Sequence, residues 1–91
     1  MKIDFDPERN ARNIRERGLS FEQAVVFDFE NAVYEVDNRR DYGEIRMRAL
    51  GFLGNRLYVM IFVRLLYGIR VISFRKANKR EERKYEKTTR S

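Results

Sequence analysis

The sequence predicts an α+β domain in which two N-terminal helices pack on a mostly antiparallel sheet and a basic helix closes the chain. Three observations carry this prediction. Residues 44–50 alternate, with Glu44, Arg46 and Arg48 on one side and Ile45, Met47 and Ala49 on the other, the period of a half-exposed strand. Residues 56–64 are apolar on both sides, Leu57, Val59, Ile61 and Val63 against Tyr58, Met60 and Phe62, as a central strand requires. Two helix starts precede them: Asp6-Pro7-Glu8, an N-cap with proline and an acid in the first turn, and Ser20 with Gln23, a capping-box pattern.

The elements follow in order. Lys2 to Phe5 alternates and predicts a short strand. A helix over residues 8–17 carries a thin apolar stripe of Ala11 and Ile14, and Gly18 is placed to end it. A second, short helix runs from the Ser20 cap to about Phe27, with Phe21, Ala24, Val25 and Val26 apolar. Residues 32–36 read as a strand and 37–43 as the polar loop after it. Two glycines and an asparagine in 51–55 predict a tight connection into the central strand, and residues 65–68 a second hairpin. The strand at 69–74 should place Arg70, Ile72 and Phe74 on one face and Val71, Ser73 and Arg75 on the other. From Lys76 the chain is helix-forming, but Ala77 and Tyr85 are nearly its only apolar contacts. Even fully buried they contribute only about a few kcal/mol, so this helix needs the sheet or a partner to order it.

With 91 residues, 43% of them hydrophobic and 37% charged, the chain reads as one small globular domain, residues 1–91. There is no cysteine and no histidine, which removes disulfides, thiolate sites, the usual zinc ligand and the commonest general base. Chemistry, if any, falls to Arg, Lys, Glu, Asp, Tyr or Ser. No run is apolar enough to span a membrane or serve as a signal peptide, so the cytoplasm is the expected compartment. No phosphate-binding glycine loop, nucleophile elbow or calcium loop is present, and no cofactor or metal is called for. The net charge of +6 lies wholly in residues 70–91, nine basic side chains against three acidic ones, and points to a polyanionic or acidic partner.

Three groups of residues could carry function. Glu44, Arg46 and Arg48 share a strand face, where guanidiniums suit a phosphate and a carboxylate suits a base; a solvated sheet face would show the same pattern. Arg70, Arg75 and Lys76 surround the end of the last strand, where cations can stabilise charge on a phosphate in transit or simply reach water. The final helix bears Lys76, Lys79, Arg80, Arg83, Lys84 and Lys87, of which Lys76, Arg80, Lys84 and Lys87 follow helical spacing and form a basic ridge that suits RNA phosphates, is solvated, or meets an acidic protein. Tyr85 there is either the helix's core anchor or a stacking or proton-donating group.

The chain closely resembles the BrnT toxins of bacterial type II toxin–antitoxin systems. The likeness runs through Phe5-Asp6-Pro7, Asn10, Asn13, the run from Gly18 to Glu22, Ala24, Phe27-Asp28, Tyr42-Gly43-Glu44 with Arg46, and Gly51. It is densest from Arg70 to Glu81, with Tyr85 beyond. The resemblance implies a RelE-like fold and a metal-free ribonuclease that cleaves RNA and arrests translation. It also implies a BrnA-like, DNA-binding antitoxin that forms a hetero-oligomer with the toxin and represses their operon, operator DNA being reached only through the antitoxin. Carried over by position, the candidate catalytic residues are Glu44, Arg46, Arg70, Arg75, Lys76 and Tyr85, with Arg48 and the helical ridge as RNA contacts. The sequence departs from the pattern at Arg15-Glu16-Arg17-Gly18, where the family usually has Lys-His-Gly, and at residues 62–67, where an aromatic-Thr-x-Arg hairpin is usual. In the implied reaction Glu44 or Lys76 takes the 2′-hydroxyl proton while Arg46, Arg70 and Arg75 stabilise the pentavalent phosphate. A second reading is a non-enzymatic protein whose basic end docks an acidic antitoxin or nucleic acid.

Overall fold

The structure, a computed structural model, describes residues 1–90. Five strands, β1 (Lys2–Phe5), β2 (Val33–Val36), β3 (Met47–Leu53), β4 (Arg56–Leu65) and β5 (Gly68–Lys76), form one sheet in the order β1-β5-β4-β3-β2. β1 runs parallel to β5 and every other pair is antiparallel. Two α-helices, α1 (Pro7–Arg17) and α2 (Lys79–Thr89), pack at different parts of the sheet.

The start and stop signals of α1 operate as the sequence predicts. The Asp6 carboxylate accepts from the Glu8 amide, Pro7 opens the helix, and Gly18 at φ 65° sends its N–H back to the Ile14 carbonyl. Its attachment is different from the expected apolar stripe. Ala11 is exposed and Ile14 is 46% exposed, whereas two asparagines face inward. Asn10 Oδ1 accepts from the Phe21 amide at 2.8 Å, and Asn13 Nδ2 donates to the carbonyls of Leu19 at 2.9 Å and Phe74 at 2.8 Å. The reason lies in the sheet: β1 ends opposite Val71, so beyond that point β5 has no strand on its outer side and presents free carbonyls. Asn13 satisfies one of them and docks α1 against the open edge.

The second N-terminal helix is a 3₁₀ segment, Phe21–Val26, so the chain has one N-terminal α-helix rather than two. The segment is only six residues long and ends in two β-branched valines, which slightly disfavour an α-helix, and the amides of Gln23 and Phe27 bond three residues back, to Ser20 and Ala24. Ser20 still caps it, and Phe21 and Ala24 are buried.

β3 begins at Met47, three residues later than the alternation suggests, and runs through Gly51 to Leu53. Gly51 is required there, because a Cβ would lie 2.8 Å from the Phe27 ring and 2.9 Å from Ala32 Cβ. The turn into β4 is only Gly54-Asn55, with Gly54 at φ 64°. β4 is the central strand expected, with Val59, Met60, Ile61 and Phe62 all buried.

β5 contains the feature that alternation hides. Ile61 pairs with Ser73 but its neighbour Phe62 pairs with Val71, so Ile72 has no partner on β4 and forms a bulge. The side-chain phase slips there. Val71 and Phe74, three apart, both face the interior with no exposure, and Arg70 shares the opposite face with Ser73 and Arg75. The expected division, with Arg70 and Phe74 together, is therefore overturned.

The core is divided between the two faces. On one, Leu19, Phe21, Ala24 and Phe27 pack on Ala49, Met60, Phe62, Val71 and Phe74. On the other, Leu50, Leu57, Val59 and Ile61 receive Ala77 and Tyr85 from the α2 segment. Thus α2 is ordered by the sheet itself, as one of the two alternatives expected.

The polar attachment of α1 makes a stability prediction. Asn13→Ala leaves two buried carbonyls without their donor and should cost about 2–4 kcal/mol. Ile14→Ala, at an exposed site, should cost under about 1 kcal/mol. Urea unfolding midpoints compare them, and a larger loss at Ile14 would contradict the asparagine docking.

Candidate functional site

α2 leaves part of the second sheet face uncovered, and a groove of about 350 Å³ lies there. Val59, Ile61, Ile72 and Ser73 line its floor, α1 contributes Arg9, Arg12, Asn13, Glu16 and Arg17, and the loop before β3 contributes Arg39 and Arg46. Arg48 and Arg75 project from β3 and β5. Seven of the lining residues are arginines and a single one, Glu16, is acidic. The bulge at Ile72 is what turns Ser73 and Arg75 into this groove on the same face as Arg70.

At the start of β3, Glu44 and Arg46 lie in the preceding loop and not on the strand. The Glu44 carboxylate bridges two cations, Arg46 Nε at 3.2 Å and Arg70 at 3.4 Å, and Arg70 also stands 3.8 Å from Asp4. The Arg46 guanidinium lies 4.0 Å over the Tyr42 ring, a stacked position that fixes its plane. The cluster of one carboxylate and two guanidiniums thus takes Arg70 in place of the expected Arg48, which bonds Glu81 instead, and Arg46 reaches into the groove.

Deeper in, Glu81 dominates. It is 6% exposed and accepts a two-pronged bond from Arg75, both contacts at 2.8 Å, together with a bond from Arg48. It also accepts the Asn78 amide at 2.9 Å, completing the capping box of α2. The Arg75 contact is the largest cause that holds the Glu81 carboxyl down at about 2, and the same bond raises Arg75. In the loop, Arg39 grips Asp37 with contacts at 2.7 and 2.9 Å, which puts the Asp37 carboxyl at about 2 and raises Arg39. Arg48 further approaches Glu35 at 3.7 Å, and Lys84 bonds the same carboxylate at 2.8 Å.

The remaining candidates lie elsewhere. Lys76 pairs across from Tyr58 and does not line the groove; it borders an adjoining hollow with Gln23 and Gly18, which shares Arg17 and Arg75 with the groove. Tyr85 is an anchor: its ring meets Phe52 edge-on at 5.5 Å and its hydroxyl donates to the Asn31 carbonyl at 3.0 Å. Lys79, Arg80, Arg83 and Lys87 face solvent on α2 and none borders the groove. Conversely, Arg9, Arg12, Arg17 and Arg39 line it without having been singled out. Their signal is present in the sequence: residues 9, 12, 13, 16 and 17 fall on one face of a helix.

Comparison with known proteins agrees with this architecture. The family model described as the ribonuclease toxin BrnT of type II toxin–antitoxin systems matches residues 5–81. The crystal structure of the Brucella abortus ribonuclease toxin BrnT is similar with a TM-score of 0.65 and 28% sequence identity, covering 87% of this chain and 99% of that one. No curated protein matches.

The buried Glu81 carboxyl predicts an acid limb. Its folded value is depressed from 4.5 to about 2, so the stabilisation is complete above about pH 4.5 and is lost as pH falls toward 2. A shift of this size corresponds to about 3 kcal/mol. Glu81→Gln should lower the neutral-pH urea midpoint and flatten its decline between pH 4.5 and 2, leaving mainly the Asp37 contribution. An acid limb parallel to that of the unaltered protein would contradict the role of Glu81.

Proposed function

This chain belongs to the BrnT family of ribonuclease toxins of type II toxin–antitoxin systems, and from that premise we propose that it cleaves RNA in the arginine-lined groove, without a metal ion, and so arrests translation. The observation that carries the proposal is the placement of a carboxylate, Glu44, between Arg46 and Arg70 at the margin of a groove lined by seven arginines.

The chemistry follows from these groups. An RNA strand lies in the groove with one phosphate against Arg46 and Arg70. Glu44 takes the proton of the adjacent 2′-hydroxyl, whose oxygen attacks phosphorus, and the 5′-oxygen departs and is protonated by water. The products are a 2′,3′-cyclic phosphate and a 5′-hydroxyl. Guanidiniums present paired donors to phosphate oxygens and stabilise the charge that accumulates on them in the pentavalent state. Arg75 and Arg48 supply further positive potential but are held by the buried Glu81, whereas Arg46 and Arg70 flank Glu44, the assigned base, and exchange its carboxylate for the phosphate, so these two are assigned the direct contact. With no histidine or cysteine, and with Lys76 and Tyr85 away from the Glu44 cluster, proton transfer is assigned to a carboxylate, and Glu44 is the one with two cations to orient it. Lys76 and Tyr85, on other surfaces, are given no part in the reaction.

The family's two-component organisation supports a partner. We assign neutralisation to a BrnA-like antitoxin that forms a hetero-oligomer with this chain, with operator DNA contacted by the antitoxin alone. The solvent-facing ridge of Lys79, Arg80, Arg83 and Lys87 fits an acidic segment of that partner. The five-stranded sheet with a basic C-terminal helix is read as RelE-like, and the cytoplasm as the site of action.

The test is cleavage of single-stranded RNA by the purified chain in EDTA. The unaltered protein should yield cyclic-phosphate ends, and Glu44→Gln should lower kcat by about 10²-fold to 10⁴-fold with an unchanged unfolding midpoint. Cleavage that requires added metal, or that Glu44→Gln leaves intact, would overturn the mechanism. Absence of cleavage in every condition would favour a binding protein.

A further inference from the structure

The arginines of the groove divide by what they already hold. Arg39 is held by Asp37, Arg46 by Glu44, and Arg48 and Arg75 by Glu81. Arg9, Arg12 and Arg17 have no carboxylate partner among the described residues; Arg17 donates to two neutral oxygens, Asn13 Oδ1 and Ser73 Oγ, both at 3.1 Å. The uncompensated charge of the groove is thus carried by α1, a helix outside the segment that holds the chain's net charge.

We propose that this α1 row is a phosphate-binding wall that seats the RNA backbone, a deepening that rests on the ribonuclease reading of the groove. Arg9 and Arg12 lie one turn apart, with about 5–6 Å between their Cβ atoms, and Arg17 stands about 12 Å further along the axis from Arg9. The row is long enough to meet more than one phosphate. An arginine already paired with a carboxylate must give up that bond to take a phosphate, whereas Arg9 and Arg12 exchange only water. The lining contains one aromatic residue, Phe21, which is 1% exposed and offers no face for a base. Recognition at this wall is therefore of the backbone, independent of base sequence. The asparagine docking of α1 fixes the wall: Asn10 and Asn13 turn inward and so turn Arg9 and Arg12 toward the groove.

The experiment measures binding of a fluorescent 2′-O-methyl oligoribonucleotide, which cannot supply the 2′-hydroxyl nucleophile, across a range of salt concentrations. The proteins compared are the full chain, Arg9→Gln/Arg12→Gln, and the charge-matched Arg56→Gln/Arg64→Gln. Glutamine keeps helix propensity, and all four sites are exposed, so folding is preserved and is checked by the urea midpoint. With a dependence of about −0.7 in log K per phosphate contact, the α1 variant should flatten the salt slope by about 1.4. It should also bind about tenfold or more weakly at 0.15 M salt, while the charge-matched pair keeps its slope. Equal losses in the two variants, or no loss in the α1 variant, would overturn the wall. Cleavage of unmodified RNA read alongside separates the two proposals. An α1-dependent slope without any cleavage supports the wall and defeats the ribonuclease reading; cleavage with kcat and KM unchanged in the α1 variant defeats the wall and leaves the ribonuclease reading standing.

Discussion

The carboxylate of Glu81 is the joint on which both the last helix and the groove depend. α2 has little apolar surface, so burial of Ala77 and Tyr85 alone would hold it weakly. Glu81 adds four bonds in one place, a forked pair from Arg75, one from Arg48 and one from the Asn78 amide. A buried carboxylate would be costly alone, and the two half-buried guanidiniums supply the opposite charge it needs. Together they offset part of the positive charge, cap the helix and set the planes of the two arginines that border the groove from below. Glu81 is already counted in the +6 of residues 70–91, and Lys84 is further paired with Glu35 of β2.

The groove owes its shape to two departures from regularity on β5. The bulge at Ile72 brings Arg70, Ser73 and Arg75 to one face, which a regular strand would have divided between two. The early end of β1 leaves the outer edge of β5 open, and α1 fills it through Asn13. A strand in that place would have closed the edge and removed the wall of arginines. An irregular sheet and a helix docked by amides are therefore parts of one arrangement, in which structural bonds point inward and guanidiniums point into the groove.

Much of this was legible in the residues. The caps at Asp6 and Ser20, the turn glycines and the doubly apolar β4 have short-range causes, and they appear where the sequence puts them, whereas the Asn78 cap that starts the last helix at Lys79 rather than Lys76 was not singled out. Spacing joined Glu44 and Arg46 but put Arg48 with them; Arg70, the actual third member, entered only through the family likeness. What was not legible depends on pairing between distant segments. A bulge is defined by the partner strand, so alternation alone assigned Arg70 and Phe74 to one face. The inward asparagines of α1 answer an open edge that exists only once β1 and β5 have paired, so the sequence offered only Ala11 and Ile14 as its packing stripe. Lys76 and Tyr85 were grouped with Arg75 by proximity in sequence, whereas strand pleat and helix packing send the three in different directions.

The central claim is that RNA is held in the groove between α1 and the start of β3, and not along the ridge of α2. Titration of the arginine Nε–Hε resonances with a non-cleavable oligoribonucleotide addresses this directly, because the two surfaces carry different arginines. The account predicts that Arg9, Arg12 and Arg46 shift together and saturate at one concentration, with Arg80, Arg83 and Arg90 unmoved. Shifts confined to Arg80, Arg83 and Arg90, with those of α1 and Arg46 unchanged, would contradict it.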